Sequence, residues 1–275
     1  FAHFLMYGAQ ARHDPHPLFD SSWYREFYQL DEDEVEKEEL AQQQQEAQME
    51  AVDKAVQEAR RAVKDLGAVA LVLPSNPVNR RPWYDPYYDP LWSTLEELGI
   101  PLGFHESSSS GAPQVGDQFE PNFMLRRVYA QPVEQMLALG SFCGGGVLER
   151  HPGLNVAFLE ANCSWLPWLL WRLDEAYERE SDVFVPGLKM APSEYFKRQC
   201  IVSIEPDEAP AKYVIDHVGN DRIVFSTDYP HGDSRYPHAV ESFLELPITD
   251  DDKRKILWDN CESFYTRKGV AASKV

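Results

Sequence analysis

Arg222-Ile223-Val224-Phe225-Ser226-Thr227-Asp228-Tyr229-Pro230-His231 is the stretch whose reading decides the fold. Its apolar, β-branched run Ile223 to Phe225 has the pattern of a strand buried on both faces. The run stops in a carboxylate, a proline and a histidine, with Gly232 and Asp233 immediately after. In barrels of parallel strands the chemistry sits at the C-terminal strand ends. Asp228 and His231 are therefore candidate catalytic groups. Taken alone, the same residues fit a helix-capping aspartate beside an incidental turn histidine. Other strands that end alike decide between the two.

Four more apolar runs lie upstream. Ala68 to Leu73 is closed by Pro74, and Ile100 to Phe104 is followed by His105-Glu106. Leu154 to Leu159 ends in Glu160-Ala161-Asn162, and Cys200 to Ile204 ends in Glu205. Helical patterns separate them: Leu91 to Leu98 with Gly99 at its end, Val133 to Leu139, Trp165 to Leu173 and Ala211 to His217. Asp250 to Tyr265 reads as one closing helix with acidic residues in its first turn. Strand–helix alternation of this kind predicts an α/β fold with a parallel sheet.

Asp31 to Leu66 is acidic, Gln-rich and free of Gly and Pro. Ala51, Val52, Ala55, Val56, Ala59 and Val63 recur at helical spacing, whereas Asp31 to Gln45 fits a solvent-facing helix or a disordered linker. Phe1 to Tyr7 is a candidate strand, and His13-Asp14-Pro15-His16-Pro17 reads as a solvated loop rather than a ligand site. In the loop after the first run, Asn76 and Asn79 are candidate substrate contacts. The aromatic turn Trp83 to Asp89 reads as a pocket wall or the cover of a subunit contact.

The 275 residues are close to the roughly 250 of one α/β barrel, and 43% are hydrophobic, enough for a sizeable core. A net charge of −19 without a basic cluster makes nucleic acid and anionic membrane poor partners. No apolar stretch approaches the ~18 residues of a membrane span. The four scattered cysteines contain no CxxC pair, which fits a cytoplasmic protein with free thiols. Gly-x-Gly-x-x-Gly and Gly-Lys-Ser/Thr loops are absent, so nucleotide binding has no sequence support.

Three strands end in ionisable groups, His105, Glu160 and Asp228, with His231 just beyond. Imidazole and carboxylate are ligand types that zinc, manganese and iron accept. Pro101-Leu102-Gly103-Phe104-His105-Glu106, Gly146-Val147-Leu148-Glu149-Arg150-His151-Pro152, Val156-Ala157-Phe158-Leu159-Glu160-Ala161-Asn162 and Phe225-Ser226-Thr227-Asp228-Tyr229-Pro230-His231 carry a resemblance. From about Asp65 to Tyr265 the chain resembles the amidohydrolase-related family of metal-dependent barrels, which includes aminocarboxymuconate semialdehyde decarboxylase.

The resemblance implies a TIM-like (β/α)8 barrel with one divalent metal ion, zinc or manganese, at its mouth. His105 and Asp228 would be metal ligands. Asp228 would also move protons; beside it Glu160 and His231 are candidate catalytic groups, and Asn162, with Asn76 and Asn79, a candidate substrate contact. Many relatives carry histidine where this chain has Glu160. The family's first strand ends in a His-x-His pair, and no His-x-His occurs here. The expected fold is thus a barrel incomplete at its N-terminus, with residues 1–66 a helical or loop segment and 67–275 the barrel portion. The expected function is a metal-dependent hydrolase or decarboxylase acting on a small carboxylate or cyclic substrate. A second copy of the chain is a candidate partner. The alternative is a catalytically inactive truncated barrel serving only folding or oligomerisation, and with only His105 and Asp228 as ligands the segment alone would hold metal weakly.

Overall fold

The computed structural model describes residues 51–77, 81–106, 114–232 and 234–266. The expectations for Phe1 to Tyr7, His13, His16, Asp31 to Gln45 and Asn79 lie outside the described residues. Five strands form one sheet: β1 (Leu71–Pro74), β2 (Leu102–His105), β3 (Val156–Phe158), β4 (Cys200–Ile204) and β5 (Ile223–Phe225). Their spatial order is their sequence order, and every neighbouring pair is parallel. All five runs expected to be strands therefore lie in one parallel sheet. Each new strand adds beside the last, as in the winding of a (β/α) barrel.

Helices fill the connections. They are α1 (residues 51–66), α2 (Asp89–Leu98), α3 (Phe123–Leu139), α4 (Val147–Arg150) and α5 (Leu166–Phe184). α6 (Pro192–Gln199), α7 (Ala211–Val218), α8 (Ala239–Leu244), α9 (Asp250–Arg254) and α10 (Asn260–Tyr265) follow. The expected closing helix is α9 and α10 joined through a π-helical turn at Lys255–Asp259. No helix among the described residues is long and apolar enough to cross a membrane.

Alternation along the strands sorts side chains between two faces. Leu73, Phe104, Phe158 and Val202 join the large core under the helices, with Trp92, Phe142, Leu148 and Phe196 fully buried there. Fully burying one such side chain contributes about 1.5–3 kcal/mol. The other face carries smaller groups: Ala157, Ile201 and Val224 cluster with Leu159 and Phe264. Gly103 belongs to this face, where an added Cβ would meet Leu159 Cδ1 at 3.4 Å and Val72 Cγ2 at 3.6 Å.

Two of the aromatic turn's side chains belong to the core, while Tyr84 is 48% exposed. Trp83 and Tyr88 are buried, and the Trp83 indole donates to Ser75 O at 2.7 Å. Trp83 also packs on Tyr88, Trp92 and Phe104, which locks the loop after β1 onto α2. α3 starts well before Val133, at an Asn122 cap whose side chain accepts from Leu125 N. Its first turns expose Phe123, Met124 and Val128, so no buried stripe marked them as helix.

Candidate active site

The C-terminal ends of β2, β3 and β5 deliver His105, Glu160 and Asp228. Glu160, Asn162 and Asp228 all have left-handed backbones, with φ of 56°, 59° and 55°. That region costs an ordinary L-residue roughly 1–2 kcal/mol; Asn and Asp visit it more readily than Glu. Strain of this kind persists where surrounding structure enforces it, and such places are often functional. Here it turns the two carboxylates off their strands toward each other.

The resulting constellation is continuous. His231 Nδ1 lies 2.7 Å from Asp228 Oδ1 and 3.5 Å from Glu160 Oε1. Glu160 Oε2 pairs with His105 Nε2. His105 Nδ1 is 2.7 Å from the Glu106 carbonyl, which can only accept, so Nδ1 donates there while Nε2 lies against the Glu160 carboxylate. The Glu160 carboxylate holds the His105 pKa above its usual value, against the opposing pull of burial. Glu160 and Asp228 are largely covered, at 14% and 16% side-chain exposure, whereas His231 is 53% exposed.

Acidic charge accumulates around this mouth. Glu205, at the end of β4, has its pKa pushed up to about 7, first by burial and then by the charges of Asp228, Glu208 and Glu160. One ligand atom each from Glu160, Asp228 and His231 lies within 4.8 Å of the others, a grouping that could hold a metal ion. Glu160 Oε2 is buried and, beyond its pairing with His105, accepts no hydrogen bond. Two carboxylates, one of them with a buried oxygen that accepts no further hydrogen bond, and the His231 imidazole form a donor set that fits a divalent cation.

A cavity of about 290 Å³ opens beside the cluster, with Glu160 and His231 in its wall. Glu106, Gln114, Phe123, Arg126, Arg127 and Gln131 also line it. Arg126 is oriented by Asp117 at 3.0 Å, Gln114 at 2.8 Å and Glu120 at 3.1 Å. Among the described residues of the wall, Asn76 and Asn162 do not figure. Asn76 is half-buried, and Asn162 is exposed beyond β3 with its carbonyl accepting from the Trp165 indole at 3.0 Å.

The groups that hold these parts in place leave no mark in the sequence pattern. Buried Gln135 of α3 and buried Glu208 after β4 both bind backbone at the mouth. Neither lies in a motif, because their partners are main-chain atoms far along the chain. Arg126 and Arg127 were hidden in a segment without helical patterning.

The sheet and the donors at its mouth define a class: barrels that gather ligand side chains at their C-terminal strand ends. Within it, the amidohydrolase family model matches residues 46–267, and the chain belongs to that family. The chain is 28% identical over 218 residues to 2-amino-3-carboxymuconate-6-semialdehyde decarboxylase of Dictyostelium discoideum, covering 78% of this chain and 58% of that protein. It is 25% identical over 229 residues to γ-resorcylate decarboxylase of Polaromonas sp., covering 77% and 66%. A dihydroxybenzoic acid decarboxylase structure from Polaromonas sp., containing manganese and 2-nitroresorcinol, superposes with a TM-score of 0.61 at 22% identity, covering 78% and 65%. The chain thus spans less than two thirds of the length of each of these relatives.

Proposed function

We propose that this chain forms the metal-binding mouth of a decarboxylase acting on a small aromatic or related unsaturated carboxylate. The observation that carries this reading is the convergence of ligand atoms of Glu160, Asp228 and His231 within 4.8 Å, the first two on left-handed backbone, beside a cavity lined in part by Arg126 and Arg127. Three such donors meet the usual protein ligand set of a catalytic site with one open position, whereas His105, expected from the sequence as a ligand, pairs with Glu160 Oε2 outside this grouping. Substrates named for the decarboxylase relatives supply the chemical class. Zinc and manganese both suit the donor set.

A bound divalent ion would act as a Lewis acid on the substrate's carboxylate and a neighbouring oxygen. Arg126 and Arg127 present positive charge to an anionic ligand in the cavity. Phe123 gives the same cavity an apolar surface for a ring. Asp228, paired with His231, holds the proton that passes to the ring carbon bearing the carboxylate. Breaking the carbon–carbon bond returns its electron pair to the ring and releases CO2, so one proton in balances one CO2 out.

The test is CO2 release from 2,6-dihydroxybenzoate by Mn²⁺-loaded protein, compared with Asp228→Asn. Metal-dependent release that falls by about 10²-fold or more in the variant supports the reading. Tight metal binding with hydrolysis of an amide or ester probe and no CO2 would move it to the hydrolases. Absence of both would leave the inactive barrel unit.

A further inference from the structure

Gln135 is fully buried within α3, and its side-chain amide makes an unusual pair of bonds. The nitrogen donates to Phe104 O at 2.9 Å and to Leu159 O at 2.8 Å. Those carbonyls belong to the residues immediately before His105 and Glu160. The same Phe104 carbonyl accepts from Leu159 N at 2.9 Å, a backbone bond between these two strand ends. Gln135 therefore spans the gap where β2 and β3 release the two side chains that pair at the mouth.

The arrangement has a cost that packing alone does not explain. Gln135 Oε1 is buried with no hydrogen-bond partner. Leaving such an acceptor unsatisfied in the interior is costly, and a Met or Leu of similar volume would avoid it. What an apolar residue could not supply is the two-pronged donor.

We propose that Gln135 is a positioning residue that fixes the separation of His105 and Glu160, and through it the geometry of the metal site. This rests on the metal-site reading above. Both of its bonds go to main-chain oxygens, so it sets where the two strands end rather than where one rotamer points. A misplacement near 1 Å at such a site can cost about 10²-fold in rate, because ligand and reacting groups tolerate little drift.

The molecule contains its own control. Gln199, buried at the end of α6, donates in the same two-pronged way to His151 O at 2.9 Å and Leu154 O at 2.6 Å. That bracket closes the opposite, N-terminal end of β3, away from the donors. A purely structural role would make the two glutamines equivalent.

The experiment measures Mn²⁺ affinity by titration of the free-ion electron paramagnetic resonance signal, with melting temperature alongside, for wild type, Gln135→Met and Gln199→Met. The expected result is binding about 10–100-fold weaker in Gln135→Met and unchanged in Gln199→Met, although both melt earlier. Should Gln135→Met fail to fold, Gln135→Asn keeps the donors on a shorter arm and should weaken binding in the same range. Unchanged affinity in the folded Gln135 variant, or equal weakening in both glutamine variants, overturns the proposal while leaving the metal site standing. A wild type that binds no Mn²⁺ overturns the metal-site reading itself and this proposal with it.

Discussion

The mouths of β3 and β5 each present a carboxylate on a left-handed residue, and they are held in opposite ways. At β3, distant parts of the chain converge on the turn. Ser203 Oγ accepts from Glu160 N at 2.9 Å, and Gln135 grips the preceding carbonyl. Glu208 accepts from Cys163 N at 2.9 Å, Ser164 N at 2.8 Å and Glu205 N at 3.2 Å, which also places a carboxylate at the start of α5. At β5 the bonds are local: Asp228 N to Ser226 Oγ at 3.2 Å, Tyr229 N to Thr227 Oγ1 at 3.4 Å and His231 N to Asp228 O at 3.0 Å. One cross-link from the far side is the exposed Arg235–Asp207 pair. A rigid side facing a locally built one is how a site can fix one donor and let another adjust to substrate.

The largest break in that contrast should come from Glu208→Ala. It leaves the Cys163, Ser164 and Glu205 amides without their acceptor in a buried place, and we expect a loss of about 3 kcal/mol in urea unfolding. Glu208→Gln should lose less.

A second lever on the rigid side is Glu134, beside Gln135 on α3. It is buried, accepts from Val115 N at 2.9 Å, and its pKa is pushed up to about 7, mainly by burial. The folded chain holds this proton more tightly than the unfolded chain does. Its contribution is therefore most favourable below pH ~4.5 and is lost as pH rises through about 7. Glu134→Gln keeps the acceptor and removes the charge. Its stability relative to wild type should improve from pH 5 to pH 8, by on the order of 2 kcal/mol, read as a pH-dependent difference in melting temperature.

The smallest effect should be Arg235→Ala on the locally built side. Both partners are about half exposed, and such pairs contribute about 0.5 kcal/mol or less. A loss well beyond this in urea unfolding would mean that β5's mouth is braced as firmly as β3's.

The same contrast explains what could be read in the sequence. β5 and its turn are built from neighbours, so Ile223 to His231 announced strand, carboxylate and histidine in one stretch. The buried runs before His105, Glu160 and Glu205 were equally local, and all five fell into one parallel sheet. What brings the groups together was not legible. The Ser203 bond to Glu160 N and the Glu208 bonds to Cys163 N and Ser164 N reach across more than 40 residues to backbone amides, and no spacing rule marks them. The left-handed Glu160 gave no sign either, because glutamate is not the residue that region selects. Trp83 and Tyr88 misled in the other direction: read as pocket-wall or contact aromatics, these two are buried against Trp92.

The central claim is that Glu160, Asp228 and His231 share one divalent ion. Its most direct measurement is anomalous diffraction from crystals of this chain grown with Mn²⁺ or Zn²⁺. We predict a single strong peak at the mouth of the sheet, roughly 2.0–2.2 Å from a carboxylate oxygen of Glu160, one of Asp228 and a ring nitrogen of His231. A peak elsewhere, or none at the mouth under saturating metal, would contradict the account.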